Sequence, residues 1–210
     1  VDKLQRLVIA SNNAGKIAEI NALLAPLAIE ALSQSVFNVT EIDEPHITFV
    51  ENALAKARHA SRCTKLPALA DDSGICVAAL NGAPGVRSAR YAGEPKSDER
   101  NNQKLIEALK NQTNRNAYYY CVIVLVRHAD DPQPIIVDGS WQGEIIDQPR
   151  GQGGFGYDPY FLLAELGKTS AELTAEQKNS MSHRGQALVK LAAILQSEWP
   201  RNGRVGAWNE

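Results

Sequence analysis

Two runs rich in β-branched and aromatic residues, Ala117–Arg127 and Ile135–Ile146, constrain the fold of this chain more than any other feature. Asp130-Asp131-Pro132 lies between them, so the two read as a long hairpin. A different rhythm precedes them. Leu7-Val8-Ile9-Ala10 reads as a short buried strand, and polar Ser11-Asn12-Asn13 follows. A helix then starts, with Ile17, Ile20 and Leu24 at helical spacing and Pro26 beyond its end. Strand, polar turn and helix in that order put a helix N-terminus at a strand end, a ready site for phosphate.

Further elements follow from local chemistry. Thr48-Phe49-Val50-Glu51 has the pattern of a capping box before a helix that runs to about Arg62, with Glu51 at position N3. Leu66–Ala70 predicts a short strand that feeds an Asp71-Asp72-Ser73-Gly74 turn. Ser97 caps a third helix, with Asp98 and Glu99 in its first turn and Leu105, Ile106 and Leu109 on one face. Ser182 caps the last long helix, which carries Leu188, Leu191, Ala192 and Leu195. Helices and strands mix without strict alternation. The expected fold class is therefore α/β with a mixed, twisted sheet, in two lobes with a cleft between them.

Composition excludes several classes. Hydrophobic residues make up 44% and charged residues 22%, which is ordinary for a globular chain. A net charge of -2 offers no basic excess for sequence-independent nucleic-acid binding, so no nucleic-acid partner is expected. Cys63, Cys76 and Cys121 are far apart and lack a C-x-x-C pair. They read as small buried apolar residues in a reduced, cytoplasmic compartment. No apolar run approaches the roughly 18 residues that span a bilayer. The start at Val1 is not signal-like and suggests a processed or trimmed chain.

Four segments carry chemistry. Gly15-Lys16 suggests a phosphate loop of the Walker type, but Ala10 and Ile17 stand where that motif needs Gly and Ser or Thr. A capped helix end with Lys16 as a point charge remains. Asp71-Asp72 can hold Mg²⁺ or take a proton from water, and along an extended chain one faces each way. Asp43-Glu44 supplies two more carboxylates. In Gly151–Pro159 the G-x-G-x-x-G string is followed by Asp158-Pro159 and no helix, so a dinucleotide fingerprint is rejected. Its glycines allow close approach, and Phe155 and Tyr157 are candidate stacking surfaces for a base. Lys178, His183 and Arg184 cluster at a helix entrance. Cations there oppose the helix dipole, which makes sense if an anion or polar ligand sits among them.

Together these segments resemble the Ham1-like inosine triphosphate pyrophosphatase family, its bacterial branch above all. The matching pieces are SNNAGK at 11–16, FVENALAKARHA at 49–60, LADDSG at 69–74, GAPGVRSARYAG at 82–93, GGFGYDPYF at 153–161 and AELTAEQKNSMSHRGQAL at 171–188. The resemblance implies an elongated α/β fold with a long central mixed sheet flanked by helices, two lobes and an active-site cleft. It implies one such domain over residues 1–200 with a tail at 201–210, a homodimer, and Mg²⁺ dependence.

Carried over by position, Ser11, Asn12, Asn13, Ala14, Gly15 and Lys16 would bind the triphosphate. Asp72 would be proton acceptor and metal ligand, Ser73 would contact substrate, and Glu44 would assist the metal, with Asp43 adjacent. Phe155, Gly156, Tyr157, Asp158, Lys178, His183 and Arg184 would hold the nucleoside and phosphates. The family's first motif is usually Thr-Gly-Asn, where this chain has Ser11-Asn12-Asn13. The implied activity is hydrolysis of ITP, dITP and XTP to monophosphate and pyrophosphate. The alternatives are a Maf-like pyrophosphatase acting on modified pyrimidine triphosphates and a nucleotide-binding module without turnover.

Overall fold

A computed structural model describes residues 4–197. The expected tail at 201–210 lies outside the described residues. The sheet has the strand order β2-β1-β3-β4-β5-β6-β7. Its elements are β1 (Arg6–Ile9), α1 (Ala14–Leu24), β2 (Glu30–Ser33), α2 (Phe49–Thr64), β3 (Ala68–Val77) and α3 (Asp98–Leu109). They continue with β4 (Asn116–Val126), β5 (Ile135–Ile145), β6 (Phe161–Leu163), β7 (Lys168–Thr169), α4 (Ala175–Met181) and α5 (His183–Ser197). β1 pairs in parallel with β2 and β3, and every other pairing is antiparallel, so the sheet is mixed as expected. The long hairpin is β4–β5. Among the described residues no helix is long and apolar enough to cross a membrane.

The caps anticipated at Thr48, Ser97 and Ser182 are in place, and Asn13 adds another, but the Thr48–Glu51 box is half formed, because Glu51 takes the Thr48 hydroxyl and not its backbone N–H. Side chains of Asn13, Thr48 and Ser97 accept from the backbone N–H groups of Lys16, Glu51 and Arg100. Ser182 Oγ accepts from Gly185 N–H at the start of α5. Two further parts of the expectation fail. The Asp71-Asp72-Ser73-Gly74 segment is not a turn after a short strand but the middle of β3, paired residue by residue with β4. Cys63 is exposed, whereas Cys76 and Cys121 are buried as expected.

Apolar packing covers both faces. Ile20 and Leu24 of α1 and Leu188, Leu191 and Leu195 of α5 join Leu7, Ile9, Leu69 and Ile123 on one face. Ala53, Ala57 and Ala60 of α2 cover Val8, Ala68, Ala70 and Val124 on the other. The connection from β1 to β2 thus runs over one face, and that from β2 to β3 over the opposite face. The strand ends between them form a topological switch point, where open α/β sheets leave a crevice. Register makes the crevice deep. Ile9 aligns with Leu69, and β1 ends there, while β3 continues to Val77. Asp71 to Ser73 therefore lie beyond the end of β1, with the first turn of α1 where the neighbouring strand would have been.

Gly139 of β5 lets α5 reach the sheet. A methyl group at Gly139 would lie 2.1 Å from the His183 carbonyl oxygen and 3.0 Å from Ala187 N. Both are backbone atoms, so relief requires moving the helix that carries His183 and Arg184. Gly139→Ala should destabilise the protein by at least about 1–3 kcal/mol, the usual effect of overpacking. Urea unfolding monitored by circular dichroism checks this, and an unchanged midpoint would show that α5 shifts freely.

Candidate active site

The switch-point cleft encloses about 410 Å³, within the ~300–1,000 Å³ of small-molecule sites. Ser11, Asn13, Lys16, Glu44, Asp72, Ser73, Phe155, Gly156, Tyr157, Asp158, Lys178, His183 and Arg184 line it. Asn12, Ala14 and Gly15 are set back from that wall. Asn12 Oδ1 accepts from Gln34 Nε2 at 3.3 Å, and its φ is not positive, so the missing family glycine is not required by backbone conformation. Asn13 N–H is held by Ser11 Oγ at 3.1 Å, and Lys16 N–H by Asn13 Oδ1 at 3.1 Å. The N–H groups of Ala14 and Gly15 have no acceptor within the helix.

β3 sends its two carboxylates to opposite faces, as strand alternation requires. Asp71 faces α1 and α5. Its Oδ1 lies 3.2 Å from Lys16 Nζ, and its Oδ2 accepts from Arg184 Nε at 3.2 Å and from an Arg184 terminal nitrogen at 3.0 Å. Asp72 faces α2, where Asn52 Nδ2 donates to it at 3.2 Å and Lys56 Nζ lies 3.6 Å away. The two are driven in opposite directions. Burial pushes the Asp71 carboxyl up, but Lys16, Arg184 and Lys56 hold it far below the usual carboxylate range. Burial raises Asp72, opposed by Lys56 and Lys16 and reinforced by Glu44 and Asp71. Asp71 is thus a fixed counter-charge, and Asp72 is the better proton acceptor of the pair.

Glu44 crosses the cleft to the same cluster. It pairs with Lys56 Nζ at 2.5 Å and with Arg90. Burial pushes its carboxyl up, yet Lys56, Lys16 and Arg90 bring it below the ordinary value. Asp43 also lines the cleft but is exposed.

The group at the helix entrance differs from expectation. Lys178 belongs to α4, not α5, and is buried between Asp158 at 2.7 Å and Glu19 at 3.1 Å. Arg184 is the largest fully buried side chain and bonds Asp71, Ser73 Oγ and Glu19. Three of its five N–H donors serve Asp71 and Ser73 and a fourth serves Glu19, leaving one for a ligand. The dipole objection is therefore met largely by the protein's own carboxylates.

His183 is not cationic. Burial pushes its pKa well below the ordinary 6.5, with Arg184 and Lys178 adding to the effect. Its ring stacks on Tyr119 at 4.7 Å and 9°, and its buried Nδ1 has no partner.

The glycine loop is held from within. Asp158 Oδ2 accepts from Phe155 N–H at 2.9 Å, and Oδ1 accepts from Ser170 Oγ at 3.0 Å. The Phe155 ring lies over Lys178 Nζ at 4.7 Å and against Gly15, where a Cβ would meet the ring at 2.7 Å. Tyr157 is no open stacking face: it is buried among Tyr119, Trp141 and Phe161, and its hydroxyl donates to the Ser88 carbonyl at 2.7 Å.

Sequence reasoning missed Glu19, Asn52, Lys56 and Arg90. For Asn52 and Lys56 a signal existed, a polar i, i+4 pair beside the buried alanines of α2. Glu19 gave none, because its partners Lys178 and Arg184 are distant in sequence.

An open α/β sheet with an anion-receptive helix end and two carboxylates at its switch point defines a protein with a cleft suited to a polyphosphate. Its sequence places it further: the Ham1 family model matches residues 7–194, and the chain belongs to that family. The dITP/XTP pyrophosphatase of Nitrosomonas europaea is 70% identical over 192 residues, covering 91% of this chain and 95% of the relative. That of Ralstonia nicotianae is 63% identical over 195 residues, covering 91% and 97%. Among solved structures, a HAM1 protein from Coxiella burnetii superposes with a TM-score of 0.85 at 50% identity, covering 91% of this chain and 98% of that one. The Staphylococcus aureus Ham1 protein gives 0.81 at 42% identity, covering 92% and 99%.

Two stability predictions follow from the buried charges. Arg184→Ala leaves Asp71 and Glu19 short of a partner and should cost about 3–5 kcal/mol; urea unfolding measures it, and a loss below 1 kcal/mol would mean water replaces the guanidinium. His183 is neutral when folded and takes a proton when unfolded. Its contribution is complete above pH 6.5 and is lost below that value at up to about 1.4 kcal/mol per pH unit. Asp71, with its lowered pKa, contributes its own loss only below 3.8. Unfolding free energy should therefore fall between pH 7 and 5, and fall less in His183→Phe. Equal slopes for the two proteins would contradict a buried neutral imidazole.

Proposed function

We propose that this chain hydrolyses ITP, dITP and XTP at the α–β phosphoanhydride bond, releasing nucleoside monophosphate and pyrophosphate. The observation that carries the reading is the division of the cleft. The first turn of α1 with Lys16 offers donors to phosphates, while Asp72 stands beside it with a raised pKa. The names of the close relatives support the substrate class. The same resemblance supports a homodimer, action on the cytoplasmic nucleotide pool, and one catalytic domain over residues 1–200.

The donor set fits Mg²⁺. Glu44 and Asp72 are hard oxygen ligands, and Lys56 Nζ already stands against both, at 2.5 and 3.6 Å, so the space between them favours a cation. Among the described residues no cluster of three His, Cys, Asp or Glu side chains could hold a metal unaided. That is ordinary for Mg²⁺, which typically takes one or two carboxylates and completes its shell with phosphate and water. When bound, the ion neutralises phosphate oxygens and acidifies water.

The chain's own groups do the rest. Asp72 accepts the proton of the attacking water, and Asn52 orients its carboxylate. Lys16 at the cleft wall stabilises charge on the triphosphate, and the free amides of Ala14 and Gly15 behind it add the partial positive charge of the helix end. Ser11, Asn12 and Asn13 shape that turn, and Ser73 reaches substrate from β3. Lys178 and Asp158 set the height of Phe155, which stacks on the base, and Gly156 and Tyr157 complete the loop. Neutral His183 and the spare Arg184 donor both line the cleft, and an N–H from either would meet the 6-oxo group of hypoxanthine or xanthine. Adenine presents a donor there and would leave the site's donor unpaired, which costs about 1–3 kcal/mol.

Competition among dITP, XTP, dGTP, ATP and a modified pyrimidine triphosphate tests the reading. dITP and XTP should lead dGTP and ATP by roughly 10²-fold or more in kcat/KM, with pyrophosphate as product. Asp72→Asn should lower kcat by about 10²–10⁴-fold with an unchanged circular dichroism spectrum. Orthophosphate as product, preference for the pyrimidine, or equal turnover of dGTP and dITP would overturn it.

A further inference from the structure

The loop that carries Phe155 is gripped from outside by α3. Asp98 Oδ2 accepts from Gly156 N–H at 2.8 Å, and Asn102 Nδ2 donates to the Gly156 carbonyl at 2.9 Å. The two side chains are i and i+4 on α3, one above the other on the same face. Between them they hold both backbone polar groups of one residue, 54 to 58 positions away in sequence. Gly156 has φ of +63°, a conformation open to glycine, and a Cβ there would meet nothing, so conformation and not space selects the residue. Asn102 is buried, and its Oδ1 has no partner, so the bond to Gly156 is the one that orients the amide. The next residue back, Asn101, grips a different wall: it bonds the Ala89 carbonyl and Ala92 N–H beside Arg90.

The geometry points to Asp98 and Asn102 as positioning residues for the nucleoside end of the cleft. They fix the two peptide groups that flank the Gly156 α-carbon, and with them the backbone that holds the Phe155 ring against Gly15 and Lys178. The inference rests on the reading that Phe155 faces the base. It assigns the two residues a specific effect. Losing the grip lets the aromatic loop fluctuate, which weakens stacking on a purine. The triphosphate donors at the first turn of α1 belong to other elements and are untouched.

Calorimetric titration of the full chain with inosine monophosphate and, separately, with inorganic tripolyphosphate separates the two ends. Asp98→Ala and Asn102→Ala should each weaken inosine monophosphate about tenfold, the order of one base–aromatic stack, and leave tripolyphosphate within about twofold. Asp98→Asn keeps an acceptor oxygen while losing the same charge from the helix start, so it should restore most of the affinity. Amide exchange at Gly156 in the free protein supplies a readout independent of ligand: it should speed up in Asp98→Ala and not in Asp98→Asn. Equal weakening of both ligands, no weakening of either, no binding of inosine monophosphate by the wild type, or no rescue by Asp98→Asn would overturn the assignment. If the wild type hydrolyses none of the purine triphosphates yet shows the split between the two ligands, the proposed reaction fails while the positioning role stands.

Discussion

A chain of buried charges holds this molecule together where its apolar packing is interrupted. Lys16, Asp71, Arg184, Glu19, Lys178 and Asp158 follow one another by ion pairs, three cations alternating with three carboxylates. On one side of this seam lies the cluster of Leu7, Ile9, Leu69 and Leu188, and on the other that of Ile75, Tyr119, Trp141 and Phe161. Four of the six, Asp71, Arg184, Lys178 and Asp158, are buried, and moving charges out of water is tolerable only when they find several partners. The deepest groups do: Arg184 bonds three residues, and Asp158 accepts from Lys178, Ser170 and the Phe155 amide. A merely stable protein would fill the seam with leucine. The seam fits a protein that must keep a polar floor under a polar ligand.

The seam also limits which side chains can touch a ligand. Several side chains marked out by residue type are already committed to one another. Asp158 and Lys178 satisfy each other, Arg184 keeps one donor, and Tyr157 has given its hydroxyl to the Ser88 carbonyl. What stays open is different in kind: two amides at the start of α1, the cleft side of Lys16, the Glu44–Lys56–Asp72 cluster and the Phe155 ring. The committed groups place the open ones. Lys178 sits under Phe155, Asp71 restrains Lys16, and the carbonyl of His183 rests on Gly139.

Elements with a local signature were legible in the sequence. Side-chain caps at Asn13, Thr48, Ser97 and Ser182 mark four of the five α-helices among the described residues, and the β4–β5 hairpin follows from its aromatic and β-branched runs. The fifth, α4, begins with a Thr174–Gln177 capping box, a local signal of the same kind. β6 and β7 are three and two residues long, too short to show a period, and β2, unlike β1 of equal length, lacks a buried apolar run. β3 misled for a physical reason. Asp, Ser and Gly are poor strand formers, and as a local sequence they describe a turn. Pairing with β4 along the whole strand, and counter-charges from Lys16, Arg184 and Lys56, override that preference. Which residues belong to the site was therefore legible from type and order, but not what each one touches. Arg184 and Asp71 are 113 positions apart, and no local pattern couples them.

Continuity of β3 through its two aspartates is also what separates their roles. In a turn, adjacent carboxylates could both reach the solvent and would titrate alike. In a strand they are forced to opposite faces, one under α5 and one under α2. The face under α5 delivers a guanidinium and Lys16 to Asp71, and the carboxylate stays ionised. The face under α2 delivers one amide and a lysine shared with Glu44, too little to offset burial beside two other carboxylates, and Asp72 is raised. The difference between a structural anion and a proton acceptor is thus set by strand alternation together with the helix that covers each face.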